Sequence, residues 1–268
     1  MNATAHAHHH AHHTGGGNHG GHTTHAAALP GGLQITEAGY TLDLETAITE
    51  PGATDLRFRI LGPDGTAVTD FAPIHERELH LIVARRELTG FQHVHPVRDE
   101  HGTWSIRIDT SEAGAYRVFT DIAPTALGRT ITLGADLAVA GPYEPLPVPA
   151  RADTTEVDGY RITLTGELAT GAGGALSFTV EKDGTPVHDL DPYLGAFGHL
   201  VILRAGDLAY VHVHPGGEPG DGVTLAGPAI GFHAAAPGPG TYRLFLDFRH
   251  EGVVRTAAFT AAVATTRH

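Results

Sequence analysis

The sequence predicts an all-β protein of two tandem β-sandwich domains behind a His-rich tail. Three observations carry this reading: an internal duplication, alternating strand patterns with regular turn signals, and a compositional break near residue 32. The duplication comes first because it sets the frame. Asp64–Pro96 aligns with Asp183–Pro215 without a gap at an offset of 119, and 13 of the 33 positions are identical. Gly39-Tyr40 matches Gly159-Tyr160, and Phe58 matches Phe178. Farther on, Gly114–Asp121 (GAYRVFTD) matches Gly240–Asp247 (GTYRLFLD). Two domains of about 110–120 residues follow, a common domain size.

Each copy reads as strands. Apolar and polar residues alternate in Tyr40–Leu44, Leu56–Ile60, Tyr160–Leu164 and Leu176–Val180, which puts one side chain in two on a core face. Pro63-Asp-Gly65, Glu100-His-Gly102, Lys182-Asp-Gly184 and Pro237-Gly-Pro-Gly240 supply turns between them. No long stretch carries a helical period. Seven or eight short strands per copy suit a sandwich, and Tyr116 and Tyr242 stand where an immunoglobulin-like fold carries its tyrosine corner. The usual second Cys is replaced by Val118 or Leu244, so packing rather than a disulfide must hold the sheets together. The organisation is thus a tail at 1–32, an immunoglobulin-like domain at 33–142, a linker at 143–151 and a second such domain at 152–268. The linker falls in the Pro-rich Gly141–Ala150 (GPYEPLPVPA), expected to be a semi-rigid spacer.

Composition narrows the function. A formal net charge of −13 argues against nucleic acid as a partner. The apolar runs are too short to insert in a membrane as a helix. With no Cys and one Met, thiolate and thioether metal sites are excluded. The 21 His leave imidazole as the available metal ligand, completed by carboxylate or water. Nine of them, His6, His8, His9, His10, His12, His13, His19, His22 and His25, lie in a tail without a single charged side chain. Such a tail is expected to be disordered and suited to gathering metal weakly at several points. It lacks the apolar core of a signal peptide.

Three His recur at one spacing in both copies: His80, His93 and His95, then His199, His212 and His214. Residues i and i+2 of a strand point to one face, so each His-x-His pair can converge on an ion. His80 and His199 sit at the start of apolar strands. If each of those strands forms a hairpin with the following His-Val-His strand, the third imidazole reaches the same ion. Two tri-His sites are therefore expected, one per domain, with His75 as a fourth ligand in the first and His233 or His188 in the second. Asp121 and Asp247 stand at the ends of matched strands, where they can orient a ligating imidazole or simply meet solvent. A half-buried structural role for each His is the plain alternative, and it suits His101, His250 and His268 well.

The stretches Leu79–Pro96, Gly102–Ser105 and Gly114–Phe119 resemble exported bacterial proteins common in actinobacteria, many of them linked to handling of heavy metals, copper above all. The resemblance covers nearly all of the first repeat and the His-Val-His-Pro core of the second. It implies a metal-binding protein of the cell envelope that works with a metal-transport or other envelope protein. Cu²⁺ is the expected cofactor, since it leads the affinity order at nitrogen sites, with Zn²⁺ second. An enzyme is the less favoured reading. Glu100 and Glu218 stand five and four positions after His95 and His214, as in a cupin. However, no Gly stands seven positions after either, and both lie in turn-like sequence. A tandem interaction module without metal is the third reading.

Overall fold

The computed structural model describes residues 29–264. The nine tail His and His268 lie outside that range. The first copy forms ten strands: β1 (Thr36–Glu37), β2 (Tyr40–Leu44), β3 (Ile48–Thr49), β4 (Gly52–Leu61), β5 (Leu79–Arg85), β6 (Gln92–Val94), β7 (Val97–Arg98), β8 (Thr103–Thr110), β9 (Gly114–Ile122) and β10 (Ile131–Val139). They make two sheets, β1-β2-β4-β8-β7 and β3-β10-β9-β5-β6. β3 runs parallel to β10, while β9 pairs antiparallel with both β10 and β5. This is the immunoglobulin-like arrangement of two facing sheets. Tyr116 Oη donates to the Glu112 carbonyl at 2.8 Å and Tyr242 Oη to the Gly238 carbonyl at 2.6 Å, so both tyrosine corners are formed.

The second copy forms β11 (Thr154–Val157), β12 (Tyr160–Gly166), β13 (Ala169–Thr170), β14 (Gly174–Lys182), β15 (Thr185–Pro186), β16 (Gly198–Arg204), β17 (Tyr210–Val211), β18 (Val213–Pro215), β19 (Ala229–Ala236), β20 (Gly240–His250) and β21 (Val253–Val263). One sheet runs β11-β12-β14-β19, with β13 and β18 also on β19. The other runs β17-β16-β20-β21.

Each sandwich has its own core. Leu42, Phe58, Leu81, Val83 and Val118 belong to the first, and Ile162, Phe178, Leu200, Ile202 and Leu244 to the second. A third cluster lies between the domains. It contains Ile82, Ala84, Leu88 and Phe119 from the first, and Val201, Leu203, Leu208, Tyr210 and Phe245 from the second. Strand parity explains it. On β5, Leu81 and Val83 face the first core, so Ile82 and Ala84 must face outward, and they find the second domain there. β16 repeats this with Leu200 and Ile202 against Val201 and Leu203. A strand covered on both faces is largely apolar at both parities, as in fully buried sheets, and every residue of β5 is buried.

The contact is pseudo-two-fold. Phe91 stacks on Phe245 with ring centroids 3.9 Å apart, and their counterparts Tyr210 and Phe119 lie 6.0 Å apart. The domains are packed against one another, beyond being joined by the Pro-rich stretch. The chain before β1 is also pinned at this seam. The Gly32 carbonyl accepts from Arg117 Nε and Nη2 at 2.9 and 2.7 Å, and the Tyr210 amide donates to the Gly31 carbonyl.

Candidate metal centre

The parity that builds the seam also places the imidazoles. His80 shares the outward face of β5 with Ile82 and Ala84, and His199 shares that of β16 with Val201 and Leu203. β6 pairs with β5 so that His93 stands opposite Ile82. Continued by two residues, that register brings His95 opposite His80. The hairpin expected from the spacing therefore forms in the first copy, and its three imidazoles face the second domain.

They converge on one atom. His80 Nδ1 lies 3.0 Å from His93 Nε2 and 3.2 Å from His95 Nε2. Nitrogens around a tetrahedral ion with bonds near 2.0–2.1 Å stand about 3.4 Å apart, and adjacent nitrogens of a square about 2.9 Å apart. The observed distances fall between these values. His199 approaches from the other domain. His80, His93 and His199 each offer a nitrogen within 4.8 Å of the others, and the His80 and His199 rings stack 5.2 Å apart.

The remaining ring nitrogens fix the tautomers. His80 Nε2–H donates to the Ile74 carbonyl at 2.8 Å, which leaves Nδ1 with its lone pair. His93 Nδ1–H donates to Asp247 Oδ2 at 2.7 Å, which leaves Nε2 with its own. Two lone pairs then face each other at 3.0 Å, an arrangement that a cation or a proton between them relieves. Ligating His commonly hand their second N–H to a carbonyl or carboxylate in this way. Asp247 comes from β20 of the second domain, so one domain orients an imidazole of the other.

The imidazoles at the centre are shielded from solvent. The His80 residue and the His93 side chain are each 1% exposed. Burial, with the neighbouring imidazoles, pushes His80 down to about 4 and His95 to about 3, with the Arg77 guanidinium adding to both. Burial holds His199 well below the ordinary imidazole value. Neutral imidazole is the ligating form.

The expectation of one tri-His site per domain does not hold. Among the described residues there is one convergent cluster, and it spans both domains. Both copies cross to the other sheet after this hairpin, the first at β7 on β8, but the second crosses earlier, because β17 ends at Val211. There, β18 pairs with β19 and sets His214 opposite His233. His214 is thereby exposed and drawn away from His199. His233 is exposed on β19, with its Nε2 2.9 Å from the Ala172 carbonyl, and is no ligand of the cluster. His188 is exposed in the loop after β15. His212 is exposed, but it lines a small cavity beside His75, Asp121 and His199. His75 reaches the cluster, with its ring 5.2 Å from His199 and 6.1 Å from His80. Asp121 and Asp247 are not solvated strand ends, being 7% and 2% exposed. Glu100 and Glu218 are exposed in turn or loop segments outside the cluster.

Residues 34–140 and 155–265 each match the family described as Domain of unknown function (DUF8832). The chain belongs to this family. The two DUF8832 segments coincide with the two sandwiches, so the His cluster lies between repeats of one domain. No curated protein matches the chain. Solved structures match it loosely. InvD of Yersinia pseudotuberculosis is 10% identical with a TM-score of 0.27, over 87% of this chain and 61% of that one. A putative membrane-anchored protein from Corynebacterium diphtheriae is 10% identical with a TM-score of 0.25, over 85% and 59%. The titin Z1Z2 domains in complex with telethonin are 16% identical with a TM-score of 0.20, over 87% and 98%. The chain thus spans about three fifths of the length of the first two.

Proposed function

We propose that this DUF8832 protein binds a divalent cation between its two domains, through His80, His93 and His95 with His199 closing from the second domain. The observation that carries this reading is the meeting of three imidazole nitrogens at His80 Nδ1, two of them with their other N–H already committed. An ordinary hydrogen bond needs a donor, and between neutral rings neither His80 Nδ1 nor His93 Nε2 carries one. Nitrogen ligation without sulfur favours Cu²⁺, with Zn²⁺ next. The role is sequestration or delivery, in the cell envelope and alongside a metal-transport or other envelope protein, as the resemblance of the repeat suggests.

The test is electron paramagnetic resonance of the full chain with one equivalent of Cu²⁺, compared with a His80→Ala/His93→Ala variant. The native protein is expected to show a single tight species with superhyperfine coupling to at least three nitrogens, absent from the variant. Identical spectra from both would place the copper elsewhere and end this reading.

A further inference from the structure

The His cluster has a second half. About the pseudo-two-fold seam, His199, His212 and Asp121 correspond to His80, His93 and Asp247. Asp121 lies opposite His80 on the adjoining strand, as Asp247 lies opposite His199. Thr132 Oγ1 donates to Asp121 at 2.9 Å, and its counterpart Thr256 does the same for Asp247. The halves differ at the carboxylate. Asp247 receives an imidazole N–H from across the seam, whereas Asp121 receives the hydroxyl of Thr132 and otherwise faces a cavity. That cavity measures about 20 Å³, room for one ion or water. Its lining includes His75, Asp121, His199 and His212, together with Tyr210.

The third imidazole of this half comes from an unexpected element. His214, the counterpart of His95, is carried outward by β18. His75 stands on the turn before β5, its ring 5.2 Å from that of His199. The matching turn of the second copy has Leu194, buried. An additional imidazole is thus supplied on the side where the strand crossing has removed one. A buried carboxylate with three imidazoles around a cavity is a donor set for a borderline divalent cation.

We propose that the seam holds two cations, the second taken by His75, His199, His212 and Asp121. This rests on the reading of the first half as a metal site. The stacked His80 and His199 rings separate the two positions, and His199 serves the second ion when both are bound.

The experiment is a zinc count on the full chain after equilibrium dialysis against buffered Zn²⁺. Native protein is compared with His80→Ala/His93→Ala and with His212→Ala/Asp121→Asn. The tail contributes equally to all three, so only differences matter. Each variant is expected to lose one equivalent. An unchanged count in His212→Ala/Asp121→Asn overturns the second site. An unchanged count in His80→Ala/His93→Ala instead overturns the first. Because replacing a buried carboxylate can disturb the seam, His75→Ala is measured as well, with its thermal melting to confirm folding. A folded His75→Ala protein is expected to bind the second zinc at least ten-fold more weakly. Unchanged binding of both ions by that variant also refutes the proposal.

Discussion

Replacing Asp247 by Asn tests whether the second domain controls a ligand of the first. The carboxylate accepts His93 Nδ1–H at 2.7 Å through Oδ2 and the Thr256 hydroxyl through Oδ1. An amide keeps the shape but has one oxygen for two donors, and its NH₂ group must face either His93 or Thr256. If it faces His93, the imidazole is driven to the other tautomer and Nε2 loses the lone pair it turns toward His80. A hydrogen bond to a charged acceptor is worth about 1.5–3 kcal/mol. Losing the carboxylate behind a ligating His costs about 10–100-fold in metal affinity, roughly 1.4–2.7 kcal/mol, so the two estimates agree. The assay is competition for Cu²⁺ against a chromophoric chelator near neutral pH. Asp189→Asn is the control, since Asp189 pairs with His250 at 3.1 Å, outside the cluster. A drop of one to two orders of magnitude for Asp247→Asn, with the control unchanged, is expected. Equal affinity in both variants would refute ligation by His93 Nε2.

Four further outcomes follow from the structure. His80 falls from 6.5 to about 4 on folding, so below 6.5 the unfolded chain binds a proton that the folded one refuses. Metal-free stability should therefore fall as pH drops from 6.5 toward 4, by about 3 kcal/mol from His80 alone. Urea melts near neutrality and in acid measure it, and a flat profile would contradict the burial of His80. Bound metal should correspondingly survive to lower pH than the pH 5–6 at which ordinary imidazoles let go. Phe245→Ala, which removes the ring stacked on Phe91 at 3.9 Å, should cost about 3–5 kcal/mol and weaken metal binding, read by thermal melting and chelator competition. Tyr242→Phe should cost about 1 kcal/mol and leave metal affinity unchanged, since its hydroxyl bonds the Gly238 carbonyl at 2.6 Å, within the second domain.

Much of this was legible in the sequence. The duplication, the two sandwiches and the tyrosine corners follow from local pattern. The spacing of His80, His93 and His95 correctly predicts a hairpin with three imidazoles on one face. What the pattern does not encode is which surface that face meets. One signal was present: Leu81–Ala84 and Leu200–Leu203 are apolar at both parities, which half-covered strands rarely are. That continuity implies a partner on the outer face, and the partner is the other repeat. The fate of His212 and His214 was hidden for a different reason. The same His-Val-His-Pro sequence follows β5 and β16, yet only in the second copy does His214 enter a strand of the opposite sheet. Both copies cross to the opposite sheet, at β7 on β8 and at β18 on β19, and how early the crossing starts is a tertiary effect that residue spacing does not carry. Asp121 and Asp247 read equally as solvent-facing strand ends or as imidazole acceptors, because the seam that buries them was unseen.

The seam has the form of a contact between two copies of one chain. Corresponding surfaces of two like domains meeting about an axis are the isologous contact of a homodimer. In a homodimer every substitution appears twice, so its two half-sites must stay identical. Joining the protomers through Gly141–Ala150 lifts that restriction. One half could keep His95 beside His80 while the other turned His214 away, and His75 could arise opposite a copy that carries Leu194. A single gene thereby owns both walls of its centre, and each wall is free to acquire a chemistry of its own.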